Sequence, residues 1–153
     1  MNEILFNAIL SMDAYNRGYG RGINLTGTNI GDAQIIFDST YAFNGADINE
    51  SFYALAYESA SHGTIISYRG TDEHPGDEIN GYLVAAGSPY EDQAIMAFGF
   101  YNLVSLTTHN NQIIDPRTAD NTVTGHSLGG GLAGLVGAIY AQEGYLFDRG
   151  CTR

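Results

Sequence analysis

The chain has 153 residues, is 44% hydrophobic and carries 17 acidic against 6 basic residues, a formal charge of −11. Its length fits one globular domain with a core of its own rather than two. Its six basic residues are all arginines scattered along the chain, which excludes the basic patch that phosphate binding requires, so nucleic acid is no partner.

From the N-terminus, residues 4–15 read as a short helix. The opening Met1-Asn2-Glu3 lacks the basic stretch and cleavage site of a secretory leader, so no signal peptide is read. The segment 15–28 holds Gly18, Gly20, Gly22 and Gly27 and reads as an ordered loop or flap. It is not a phosphate loop, because the glycines lack the G-x-G-x-x-G spacing and no strand runs into them.

Residues 33–37 and the aromatic-rich 51–57 pattern as strands. A hairpin through Ser61, His62 and Gly63 then leads into the β-branched strand 64–68, which ends at Arg69-Gly70-Thr71. Residues 72–90, with Pro75, Pro89 and several acidic side chains, form a long lid-like surface loop. An acidic start suits the helix expected over 91–108, and its apolar residues lie on most sides, so it should be buried on more than one face. After a turn at Asp115-Pro116, a strand over 121–124 and a helix from 127 to about 142 complete the pattern. Strand, helix, strand, helix implies an α/β fold whose sheet is mostly parallel and flanked by helices.

The last strand and helix meet at Gly125-His126-Ser127-Leu128-Gly129, a G-x-S-x-G motif. Composition alone yields roughly 0.15 such matches in a chain of this make-up, so context decides. A β-branched strand enters the motif, and Gly129, Gly130, Gly131, Gly134 and Gly137 follow it. A helix there gives up on the order of 1 kcal/mol per glycine, which close packing against a sheet would justify. The motif therefore reads as a nucleophile elbow with Ser127 at its apex and the Leu128 N–H aimed at a developing oxyanion. Thr71, at the end of an earlier strand, is a candidate second oxyanion donor through its N–H and hydroxyl, the alternative being a plain strand end at Gly70 with Arg69 paired to a nearby carboxylate.

Together these motifs resemble the class 3 lipase family, with its aromatic-Arg-Gly-Thr/Ser oxyanion motif, lid, long helix and GHSLGG elbow. The resemblance spans about residues 51–142, and residues 1–50 add nothing to it. It implies an alpha/beta-hydrolase fold and a serine hydrolase of carboxylic esters, most specifically lipid or acylglycerol esters. Ser127 would be the nucleophile, with Thr71 and Leu128 as oxyanion donors. The family's triad Asp and His lie well beyond the elbow, whereas only 26 residues follow Ser127 and none is histidine. A single lipase-like domain over 1–153, incomplete at its C-terminus, is the expectation.

Histidine within the chain offers no ready base. His126 is adjacent to the nucleophile and points elsewhere, His62 sits in a hairpin, His74 in the lid-like loop and His109 at a helix end. Asp148 lies too close to the elbow helix for the triad acid. No metal-ligand pattern occurs and no cofactor is expected. Lone Cys151 excludes an internal disulfide. The longest nearly apolar run, 128–141, falls short of the roughly 20 residues that span a bilayer, so a soluble chain is expected, its compartment undetermined and secretion by another route left open. The rival reading is a non-catalytic lipase-like half-domain that binds a partner or lipid. An incomplete sheet would expose an edge, so a homo-oligomer or a complementing chain is expected.

Overall fold

A computed structural model describes residues 2–19, 27–42, 52–70, 92–108 and 115–148. The lid-like loop 72–90 lies outside the described residues, as do Thr71, His74, His109 and Cys151. The elements run α1 (Glu3–Tyr19), β1 (Asn29–Ile30), β2 (Ala33–Asp38), α2 (Ser39–Ala42), β3 (Ala54–Ser59), β4 (Gly63–Tyr68), α3 (Asp92–Thr108), a short 3-10 helix (Pro116–Thr118), β5 (Asn121–His126), α4 (Leu128–Tyr140) and β6 (Glu143–Phe147).

The six strands form one sheet in the order β1-β2-β3-β4-β5-β6. The α/β class holds, but the sheet is mixed: β1 to β4 pair antiparallel, and parallel pairing is confined to β4-β5-β6. Gly31-Asp32 and residues 60–62 are tight turns that reverse the chain between β1 and β2 and between β3 and β4, and residues 39–53 return it antiparallel from β2 to β3. The crossovers through α3 and α4 return it in the same direction.

Strands β3 and β4 show why the sheet is covered on both sides. Ala54, Ala56, Ile66 and Tyr68 face one layer with Phe100, Tyr101 and Val104 of α3 and Leu132, Ala133 and Val136 of α4. Leu55, Tyr57 and Ile65 face the other with Phe6 and Leu10 of α1. A period of two with apolar residues at both phases is the pattern of a strand buried on both faces. Each such side chain contributes about 1.5–3 kcal/mol by leaving water. The helix α3 is not buried all round, since Ile95 is 55% exposed.

Helix α1 runs past the expected end at residue 15 to Tyr19. Asp13, fully buried, holds Arg17 at 2.7 Å one turn on and accepts from the Tyr57 hydroxyl at 2.8 Å, while Arg17 also donates to the Gly27 carbonyl. The i,i+4 pair carries the helix through a stretch where Gly18 alone signals a break. Helix α1 is also tied to the strands by Ser67 Oγ donating to the Leu10 carbonyl and Thr124 Oγ1 to the Asn7 carbonyl. Its last turns thereby arrive at the C-terminal ends of β4 and β5.

Candidate active site

At those strand ends the chain turns sharply at Ser127, the residue between β5 and α4. Ser127 has φ 55° and ψ −126°, a conformation that costs a non-glycine residue on the order of 1–3 kcal/mol and persists only where surrounding contacts impose it. Two such contacts are present. The Ser127 N–H donates to the Phe147 carbonyl of β6 at 2.9 Å, and the Gly131 N–H donates to the Ser127 carbonyl at 3.1 Å.

The flanking glycines are fixed by backbone rather than by taste for flexibility. A Cβ at Gly125 would fall 2.2 Å from the Gly129 carbonyl oxygen, and one at Gly129 would fall 2.1 Å from the Tyr68 carbonyl oxygen. The first turn of α4 therefore rests directly on the end of β4. That contact brings Ser127 and Leu128 beside the segment Tyr68-Arg69-Gly70 that leads to Thr71. Leu128 begins α4, with its side chain 5% exposed in the core and its backbone at the helix N-terminus, where the helix dipole favours negative charge.

Gly70 is equally constrained: a Cβ there would meet the Tyr15 hydroxyl at 1.9 Å and the His126 carbonyl oxygen at 2.6 Å. Tyr15 is the participant that sequence reading missed. Its hydroxyl lies 3.2 Å from the His126 carbonyl oxygen, to which it can donate, and 3.3 Å from His126 Nδ1, and its ring stands edge-on to the imidazole at 5.8 Å. It also accepts from the Gly70 N–H. Burial raises the Tyr15 hydroxyl above the ordinary phenol range, partly offset by that Gly70 donor and by the Arg69 guanidinium. At neutral pH the phenol keeps its proton and serves as donor and acceptor at once. No local signal in the sequence marks it, because Tyr15 and His126 are 111 positions apart.

Arg69 is buried, and its guanidinium lies 5.4 Å from the centre of the Tyr53 ring, a cation–π arrangement. His126 is exposed and engaged with Tyr15. His62 lies at the other end of β4, about 16 Å away at a strand rise of ~3.3 Å per residue. There it stacks on Phe6 at 4.6 Å and contacts Ser61 Oγ at 2.8 Å. Asp148 follows β6 with φ 43°. Among the described residues no group of three or more metal-ligating side chains occurs, and no helix is long and apolar enough to cross a membrane.

The arrangement is thus a strained serine between a parallel strand and a helix N-terminus, with a second strand end in backbone contact with it. No curated protein matches the chain. A solved fungal lipase, crystallised with an inhibitor as a model for interfacial activation in lipases, is similar at 21% identity and a TM-score of 0.48, covering 91% of this chain and 54% of that one. The chain therefore spans about half the length of that lipase. Residues 65–149, more than half of the chain, match the family described as lipase (class 3). With that match running from within β4 through α3 and the whole elbow, the chain belongs to the class 3 lipase family, with an alpha/beta-hydrolase fold.

Proposed function

We propose that the chain supplies the nucleophile and oxyanion donors of a carboxylic ester hydrolase acting on lipid or acylglycerol esters, with Ser127 as the nucleophile. The observation that carries this reading is the Ser127 backbone at φ 55°, set between Gly125 and Gly129, where neighbouring backbone leaves no room for a Cβ. Strain of this kind lifts a side-chain oxygen clear of the sheet. In the proposed reaction Ser127 Oγ attacks the ester carbonyl and passes its proton to a base. The tetrahedral oxyanion is held by the N–H of Leu128 and by Thr71 through its N–H and hydroxyl. Collapse expels the alcohol and leaves an acyl-serine, and water then releases the acid and regenerates the hydroxyl.

Each oxyanion donor is worth about 10²–10³ in rate in enzymes of this chemistry. A panel of p-nitrophenyl esters of increasing acyl length tests the reading. Hydrolysis above the buffer rate that is abolished in Ser127→Ala supports it. Hydrolysis unchanged in Ser127→Ala refutes it.

A further inference from the structure

The Tyr15 hydroxyl stands among three groups at the candidate site. It accepts from the Gly70 N–H, lies 3.2 Å from the His126 carbonyl oxygen, and lies 3.3 Å from Nδ1 of the same histidine. Its place does not depend on these bonds. Ala14 beside it is fully buried, and α1 is fastened to the sheet through the Leu10 and Asn7 carbonyls, which accept from Ser67 and Thr124. The packing leaves no slack, since a Cβ at Gly70 would fall 1.9 Å from the phenol oxygen and 2.6 Å from the His126 carbonyl oxygen.

A phenol has a single proton to donate, so the carbonyl and Nδ1 of His126 compete for it. The state of the ring decides the competition. With Nδ1 bare, the proton is shared between two acceptors, and the link from the His126 carbonyl through Tyr15 to Gly70 is divided. With a proton on Nδ1, the ring turns donor toward the phenol oxygen, and the phenol proton goes to the carbonyl alone. An imidazolium carries a proton on both nitrogens, so the link is undivided whenever His126 is charged.

Among the described residues, the other charged groups around this pair are Arg69, whose guanidinium acts on the phenol, and Asp148, which follows Phe147, the strand partner of His126. Burial holds the Tyr15 phenol above its ordinary range, and a guanidinium keeps its charge. Imidazole is the side chain whose charge changes between about pH 5 and 8.

We infer that His126 is a positioning residue: through the Tyr15 hydroxyl, the proton on its Nδ1 sets how firmly the strand end at Gly70 is held to the elbow. That this strand end leads to an oxyanion donor rests on the function proposed above, whereas the hydrogen-bonded link does not.

The test uses the whole chain from about pH 5 to 8. NMR follows the Gly70 amide and the His126 ring, and a fluorophosphonate reads the reactivity of Ser127. The Gly70 amide should titrate with the His126 midpoint in the wild type, and it should stay still in Tyr15→Phe while the ring continues to titrate. The labelling rate of the wild type relative to His126→Phe, folded by circular dichroism, should be about threefold or more greater near pH 5.5 than near pH 8. A base common to both chains cancels in that ratio. In a Tyr15→Phe background the ratio should lose its pH dependence. A Gly70 amide that ignores His126, or follows it unchanged in Tyr15→Phe, overturns the inference. So does a ratio that is independent of pH, or one whose pH dependence persists without the Tyr15 hydroxyl. Absence of labelling at every pH, with the Gly70 amide still following His126, refutes the nucleophile and supports the link, so the two failures are told apart.

Discussion

The Tyr15 hydroxyl sits 3.2 Å from the carbonyl oxygen of His126, so the first helix of the chain is pinned to the residue that precedes Ser127. The Tyr15 hydroxyl oxygen in turn accepts from Gly70 N–H, one residue before Thr71. One phenol thus joins the elbow to the segment proposed to carry the second oxyanion donor.

Tyr15→Phe keeps the ring and removes only the hydroxyl. Its stability should fall by about 1 kcal/mol, the usual worth of one hydrogen bond, read as a drop of roughly 2–4 °C in Tm. Ester turnover should fall about tenfold or more, because the elbow and the Gly70 strand end lose their shared anchor. A variant with lower Tm but full turnover would separate Tyr15 from the chemistry.

Glycine substitutions along the elbow should divide by what the new Cβ meets. Gly125→Ala and Gly129→Ala place it 2.2 Å and 2.1 Å from backbone oxygens, which cannot step aside, so a loss above about 3 kcal/mol is expected. Gly134→Ala meets only the end of the Leu146 side chain at 3.2 Å. There the helix-propensity gain of about 1 kcal/mol offsets a small adjustment, and the variant should be neutral or more stable. Urea unfolding of the three variants measures the contrast.

Asp32, in the turn between β1 and β2, accepts from Ser61 Oγ at 2.6 Å, Ser59 Oγ at 2.9 Å and the Ser61 N–H at 3.0 Å. The Ser61 and Ser59 hydroxyls, in that order, lower its pKa from 3.8 to about 2. A carboxylate depressed on folding contributes stability that is present above its unfolded pKa and is lost as pH falls through the folded one. The difference in stability between the wild type and Asp32→Asn should therefore be constant above about pH 5, shrink as pH falls through about 2 and level off only near pH 1. Carbon NMR titration of the Asp32 carboxyl gives the midpoint directly, and a midpoint near 4 would contradict this arrangement.

What was legible in the sequence was local. Glycine spacing around Ser127 encodes a backbone collision, and a collision between residues four apart is written in consecutive letters. The β3–β4 hairpin and the long helix α3 were readable for the same reason, since turn residues and apolar runs act on their neighbours. Strand β6 was not, because Glu-Gly-Tyr-Leu-Phe has little strand signal until β5 pairs with it. The β1–β2 and β2–β3 pairings were not legible, the first lying in the short Gly31-Asp32 turn and the second joining strands separated by residues 39–53. Tyr15 falls at the junction of helix and loop in the sequence because the glycines after it suggest a helix end, while the Asp13–Arg17 pair that continues the helix depends on burial against Tyr57.

The central claim is that Ser127 is a nucleophile, and a fluorophosphonate probe reads it most directly. Intact-mass analysis should show one adduct on the wild-type chain, with peptide mapping placing it on Ser127, and none on Ser127→Ala. No adduct on a folded sample, or an adduct that survives in Ser127→Ala, would contradict it.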